Sequence, residues 1–254
     1  MPFPSIYLVT CLLSGVLFFL ILPASAWAEK DPSVNKDAPA NKDPWESYNR
    51  KVFVFNDFCD RYFLKPISKG YKAVTPDPVE VGVSNVFENF LEPASILNDV
   101  LQWKWKAAGR DLGRLVVNTT AGVGGVWDVA DMLGWKKPSA SEDFGQTLRV
   151  WGVPTGPYFV IPFLGSSTLT EAFVATPVDY LTYPVTYVES VRAYNSLSAM
   201  KYIDKRSHLL EAEDLVSGDR YIFIREGYLQ NRAFNAADGQ VVDDFGADSD
   251  LQEL

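Results

Sequence analysis

Histidine is nearly absent from this chain, cysteine is scarce, and basic residues are outnumbered. A single histidine, His208, in 254 residues cannot build a histidine metal site. The two cysteines are Cys11 and Cys59. If the N-terminal segment is removed, Cys59 stands alone, which excludes a disulfide-stapled fold. Its role is then that of a small buried apolar residue. Lysine and arginine total 23 against 32 aspartates and glutamates, a net charge of −9. That argues against nucleic acid as a partner, because neutralising phosphates needs clustered Lys and Arg. It also argues against recruitment to an anionic surface by charge alone. There is no Gly-x-Ser-x-Gly elbow and no Gly-x-x-x-x-Gly-Lys-Ser/Thr loop. Asp111, Asp128, Asp131, Glu142 and Asp143 are the carboxylates available for acid–base pairing. Asp128 and Asp131 read instead as helix N-terminal residues, and Glu142 and Asp143 as turn residues. No enzyme, cofactor or metal centre is expected.

Apolar and aromatic residues are abundant: 47% of the chain is apolar and 14% aromatic. Ile6–Leu22 is an unbroken uncharged run, ended by Pro23 and followed by small residues in Ala24-Ser25-Ala26-Trp27-Ala28. This predicts a signal peptide over 1–28, cleaved after Ala28, with Ala26 as the near alternative. The n-region holds no Lys or Arg, so an uncleaved anchor is a second option. Leu8-Val9-Thr10-Cys11 has the outline of a lipoprotein signal, but the apolar run continues past Cys11, where a lipidation cysteine normally ends it. Residues 29–42 read as a flexible linker. From Asn235 the chain carries six acids and no base, which predicts a disordered tail over 235–254.

Between these ends the spacing predicts helices. Asp43-Pro44-Trp45-Glu46 reads as a helix start, with Asp43 as cap and Pro44 in the first position. Trp45, Tyr48, Val52, Phe55, Cys59 and Tyr62 follow at spacings of three and four. Phe53 and Phe58 fall outside that stripe, so the helix is apolar over much of its circumference. Such a helix is buried or faces lipid. Trp45, Tyr48, Val52, Phe53, Phe55 and Phe58 are the candidates for a membrane-facing rim. Pro66 is expected to end this helix and Pro93 the next one. Trp103 and Trp105 flank Lys104 and Lys106, which suits an interface. Helices are also predicted over 107–118, 127–133 and about 186–215. Thr168–Glu171 reads as a capping box opening a helix that Pro177 interrupts, and Asp219–Phe234 as a last amphipathic helix.

The most informative stretch is Leu112–Ile161. It reads as a helix end, the glycine break Gly122-Val123-Gly124-Gly125, a short helix and then a hairpin. Gln146–Val150 and Tyr158–Ile161 are the predicted strands, around Gly152-Val153-Pro154-Thr155-Gly156-Pro157. Such a hairpin is marginal alone and must pack on helices. Gly122, Gly124, Gly125, Trp127, Gly145, Leu148, Val150, Gly152, Gly156 and Tyr158 are the candidate channel and gate residues, because glycines absorb the dihedral changes of opening.

Several ordered blocks carry a family resemblance. Asp43-Pro44-Trp45-Glu46-Ser47-Tyr48-Asn49-Arg50 resembles the opening signature of the MlaA (VacJ) family of phospholipid-binding outer-membrane lipoproteins. Ser84–Asn89 with Glu92-Pro93-Ala94 resembles its next block. Arg114–Thr119 with Gly122–Ala130 resembles the glycine block, and Glu142–Leu148 through Gly165-Ser166 the hairpin block. Tyr221–Arg232 resembles the closing helix. The resemblance covers about 43–234. It implies a mainly α fold, a single ring-like domain of amphipathic helices with a short β-hairpin. It implies residence at the periplasmic face of the outer membrane, in the inner leaflet, with an amphipathic channel. It further implies three partners: phospholipid, a trimeric porin and a periplasmic lipid carrier. The signal departs from the family, whose members mostly end theirs in a lipobox. Two rival classes are a soluble periplasmic interaction module, with every apolar face in the core, and a lipid-acting hydrolase.

Overall fold

Residues 43–137, 141–216 and 218–239 are described in the computed structural model of the protein, without the side chains of residues 214 and 215. The chain divides into a unit ending at Pro44 and a second, from Trp45 onward, that holds every element below. The signal, its cleavage at Ala26 or Ala28, Cys11, the linker and the tail beyond residue 239 lie outside the described residues.

The fold is mainly α with one small hairpin. Helix α1 (Glu46–Cys59) passes through a π turn (Asp60–Leu64) into α2 (Lys65–Val74). Then come α3 (Asp77–Leu101), α4 (Trp105–Thr120), the short α5 (Val129–Met132) and α6 (Phe144–Val150). Strands β1 (Tyr158–Ile161) and β2 (Gly165–Thr168) follow, and a π turn (Glu171–Ala175) leads into α7 (Thr176–Thr182). Helices α8 (Val191–His208) and α9 (Arg220–Ala236) close the domain. Helix α3 packs on α4 and α8, and α2 packs on α8. Among the described residues no helix is long and apolar enough to cross a membrane.

Four local expectations are corrected. The first helix starts at Glu46 with Trp45 as its N-cap, not Asp43, and Glu46 pairs with Arg50 at 2.6 Å. Pro66 does not end the helix. A proline ring collides with the carbonyl four residues back, and the wider π turn just before it moves that carbonyl aside. Lys65 N–H donates to the Asp60 carbonyl, and Thr176 N–H to that of Glu171, ahead of Pro177. Pro93 likewise lies inside α3, where packing on both α4 and α8 outweighs a cost of about 3 kcal/mol. The helix expected over about 186–215 is α8, framed by 3₁₀ turns at Pro184–Tyr187 and Ala212–Leu215.

The predicted hairpin is the largest correction. Gln146–Val150 is not a strand. The Asp143 side chain caps α6 by accepting the Gln146 N–H at 2.9 Å. Gly145, Leu148 and Val150 are therefore helical, and Gly152 and Gly156 lie in the loop that follows. β1 pairs instead with β2, antiparallel, Tyr158 opposite Thr168 and Ile161 opposite Gly165. Strand β1 is also satisfied from α1. Asn49 donates Nδ2 to the Tyr158 carbonyl at 3.1 Å and accepts the Val160 N–H at 2.9 Å. Two turns on, Asn56 does the same for the Ile161 carbonyl at 2.9 Å and the Phe163 N–H at 2.7 Å. Two asparagines on one helix face thus stand where a third strand would pair, covering an edge that would otherwise be open. The tail expectation is corrected at its start, because α9 runs to Ala236 and Asp238 pairs with Lys104.

Candidate functional site: an apolar exterior and two cavities

Burial in this domain runs opposite to that of an ordinary globular protein. Among the described residues twenty buried side chains are polar or charged and ten are apolar, four of the ten being alanine. Conversely, all six described tryptophans are exposed, from Trp45 at 41% to Trp103 at 77%. Scattered exposed apolar residues mean little, but a contiguous patch marks a contact surface.

The exposed rings of α1 gather in clusters, two of them with rings of the hairpin. Tyr48 stacks on Phe159 at 5.5 Å between ring centroids, and Trp45 meets the same ring edge-on at 6.0 Å. Phe159 reaches Phe173 at 5.8 Å, Phe55 meets Phe163 at 5.0 Å, and Phe58 meets Tyr62 at 4.7 Å. Trp45, Tyr48, Phe55 and Phe58 are exposed, joined by Val54, Tyr62 and Phe63, which were not among the rim candidates. Val52 and Phe53 turn the other way. They pack on the core of Tyr158, Val160 and Tyr221, so they leave the membrane-facing set.

Inside, polar side chains are held by one another. Arg114, 2% exposed, lies 2.8 Å from Asp128 and 3.6 Å from Glu92, and donates to the Trp135 carbonyl. Asn118 bridges Asp128 and the Ala130 N–H, each at 2.9 Å. Between α3 and α6, Thr147 donates to Asn98 at 2.8 Å and accepts from Gln102 at 3.1 Å. Between α3 and α8, Ser84 donates to Asp204 at 3.0 Å and Ser207 to Glu80 at 3.1 Å. Arg232 from α9 pairs with both Asp143 and Glu171, and Tyr228 donates to Glu171. His208 is half exposed beside Ser84. Cys59 is a half-buried free thiol.

The ten candidate channel and gate residues separate into two neighbourhoods. Gly122, Gly124, Gly125 and Trp127 form the turn between α4 and α5. A side chain on Gly125 would meet Asn89 at 2.6 Å, so this turn is clamped on α3. Gly145 and Leu148 are buried in α6, and a side chain on Gly145 would strike Arg232 at 2.5 Å. Tyr158 is buried, its hydroxyl 2.7 Å from Ser166. Val150, Gly152 and Gly156 are exposed, and Trp151 anchors this region through its indole N–H to the Leu101 carbonyl at 3.2 Å. Asn49 and Asn56 were missed as organising residues; the signals were their seven-residue spacing and the place of Asn49 in the opening block Asp43–Arg50.

Three carboxyls carry unusual acidity. Burial pushes Glu92, Asp99 and Asp179 each up to about 7, with Asp111 adding repulsion at the first two. Arg232 and the Gln146 N–H hold Asp143 low despite its burial, and Glu213 lies at about 2, held by Arg206 and Lys65. A carboxyl raised in the folded state binds more protons there than when unfolded, so stability falls as pH rises through that interval. Melting temperature is therefore expected to climb from pH 8 to about 5. At more acid pH, between the ordinary carboxylate range and the depressed values of Asp143 and Glu213, the unfolded chain takes up protons that the folded one does not, and the melting temperature should fall again. A thermal melt series checks this, and Asp179→Asn should flatten part of the upper slope. A profile flat between pH 5 and 8 contradicts it.

Two cavities open on this interior. One, of about 440 Å³, lies among α1, the hairpin and α9. It sets Phe53, Val160 and Phe223 against Asp60, Arg206 and Glu213. The other, of about 750 Å³, lies beside the α3–α4 turn and combines Trp103 and Trp105 with charged groups. Among the described residues no cluster of His, Cys, Asp or Glu could hold a metal ion.

A helical domain that buries its hydrogen-bonding groups and turns its aromatic rings outward is built for an apolar neighbour, the pattern of a protein that works against lipid. The sequence model of the MlaA lipoprotein family matches residues 41–235, and the chain belongs to that family. It is 34% identical over 219 residues to the intermembrane phospholipid transport system lipoprotein MlaA of Escherichia coli (strain K12), covering 82% of this chain and 84% of that one. A Rickettsia conorii protein is 36% identical over 186 residues, covering 72% of this chain and 73% of that one. A chain solved in work on the structural basis for maintenance of bacterial outer membrane lipid asymmetry matches with a TM-score of 0.68 and 33% identity. That match covers 76% of this chain and 98% of the other.

Proposed function

We propose that this protein moves phospholipids between membranes. It withdraws molecules misplaced in the outer leaflet of the outer membrane and passes them to a periplasmic carrier, which preserves lipid asymmetry. The observation that carries this reading is the reversed burial, polar within and aromatic without. Exposing two acyl chains of about 16 carbons to water costs about 25 kcal/mol at about 0.8 kcal/mol per CH₂. A carrier must therefore offer an apolar wall throughout, while the headgroup keeps hydrogen-bonding partners. The cavity that faces Phe53, Val160 and Phe223 with Asp60 and Arg206 supports both demands.

In this reading the protein lies in the inner leaflet at the periplasmic face, beside a trimeric porin. The aromatic patch of α1 and the hairpin meets acyl chains. The gate belongs to the exposed Gly152–Gly156 loop, whose two glycines have φ of +83° and +70°, and not to the clamped Gly145 and Leu148. No covalent chemistry is needed, and direction comes from the carrier downstream.

Phe58, Tyr62 and Phe63 are exposed and do not hold the core, so replacing all three with glutamate should leave the fold intact. Partitioning of the purified protein into phospholipid vesicles, read by flotation, should then drop by about a hundredfold or more. Unchanged flotation would assign the patch to another contact. Complete lack of co-purifying phospholipid, with wild-type protein washing off membranes in carbonate, would overturn the transport reading itself.

A further inference from the structure

The 750 Å³ cavity at the α3–α4 turn has a charge arrangement that the surrounding pairs do not consume. Lys104 is taken by Glu142 at 3.0 Å and by Asp238. Arg110 is taken by Asp111 at 2.7 Å. Two groups are left over. Asp99 is 1% exposed and lines the cavity, and no donor reaches its Oδ2. The carboxyl of Asp111 faces it, and two carboxyls hydrogen-bond each other only through a shared proton. Lys106, exposed, lines the same cavity on the opposite charge sign. Trp103 and Trp105 meet edge-on at 5.8 Å, both exposed, and both line the cavity.

A buried acceptor without a donor costs free energy that a ligand donor would relieve. A cationic donor suits Asp99 best, because it answers both the unmet oxygen and the repulsion from Asp111. The cation on Lys106, at the exposed rim, calls for an anion further out than Asp99. A positive end deep and a negative end at the rim is the pattern of a zwitterion.

We propose that this cavity is a headgroup subsite for zwitterionic phospholipid: the ammonium bonds Asp99, the phosphate bonds Lys106, and Trp103 and Trp105 border the glycerol and the first acyl carbons. This assignment rests on the transport reading above and adds a lipid preference to it. The subsite selects ammonium-bearing lipid over anionic lipid, whose headgroup would bring no donor of positive charge to Asp99 and Asp111.

The test loads the full chain from vesicles of phosphatidylethanolamine and phosphatidylglycerol in equal amounts, repurifies it and weighs the bound lipids by mass spectrometry. Wild-type protein should retain phosphatidylethanolamine in excess. Asp99→Asn should cut the ratio of the two lipids by about tenfold while total bound lipid changes little. Lys106→Glu lies on the exposed rim and does not threaten the fold; it should lower retention of both lipids and spare the ratio. An equal ratio in wild-type protein, or an unchanged ratio in Asp99→Asn, overturns the subsite and leaves transport standing. Should Asp99→Asn fail to fold, unchanged retention in Lys106→Glu overturns it equally. Soluble glycerophosphoethanolamine provides the last arm: if it displaces the lipid at equal concentration, the ligand is a free headgroup and the lipid assignment fails. Wild-type protein holding no phospholipid of either kind would instead remove the transport reading.

Discussion

Arg114→Leu should destabilise the domain by about 3–5 kcal/mol, the range expected when one partner of a buried ion pair is removed. Among the described residues Arg114 is the largest fully buried side chain, and it pairs with Glu92 and Asp128 together. Leucine would leave both carboxylates without their cation and would orphan the Trp135 carbonyl. Glu92, already raised to about 7 by burial, would take up a proton, whereas Asp128 would lose the guanidinium that helps hold it low. The measurement is urea unfolding followed by tryptophan fluorescence. Adding Glu92→Gln and Asp128→Asn should recover a good part of the loss, because the cost lies in uncompensated charge more than in lost contact. A single variant within about 0.5 kcal/mol of wild type would mean that the polar interior is ornamental to stability.

Gly122→Ala is expected to cost about 3 kcal/mol or more, a large effect for one methyl group. The added carbon would fall 2.2 Å from the Trp127 carbonyl oxygen and 2.4 Å from that of Asn118. Both are backbone atoms, so no rotamer change relieves the clash, and the end of α4 and the turn that holds Trp127 would have to shift. Gly109 is the control. It lies within α4 with nothing within 4 Å, and alanine there should stabilise by about 0.5–1 kcal/mol. The comparison separates two uses of glycine that look alike in sequence. If both substitutions shift the urea midpoint equally, the clamp between α4 and α5 is not what Gly122 serves.

The gate expectation shows why such a distinction matters. Six of the seven glycines between 122 and 156, all but Gly134, read as one movable stretch. Gly122, Gly125 and Gly145 are instead places where another atom comes too close for a side chain. Composition cannot tell a hinge from a contact, because both exclude Cβ. The strand misassigned to Gln146–Val150 has a similar origin. Thr147, Val150 and Trp151 favour a pleated surface, but the Asp143 cap and the Arg232 pair fix that segment as a helix. The partner sits 89 residues away in sequence, out of reach of any local window. The proline stops at 66 and 93 failed for the same reason, since packing and a π turn outweighed a local penalty.

The sequence by itself determined a good deal. Helical spacing established a mainly α domain, because hydrophobic period is a local property. Family membership was legible in ordered blocks from Asp43 to Arg232. An apolar helix at Trp45–Leu64 was visible as well. Only the tertiary structure decided which side of that helix faces out. Val52 and Phe53 went inward because Asn49 and Asn56 bind the edge of β1 and so set the helix rotation. It also decided that the interior is polar. A serine, an asparagine or an aspartate carries no mark of burial in sequence. Each is buried only where another chain segment supplies the bond that water would otherwise make.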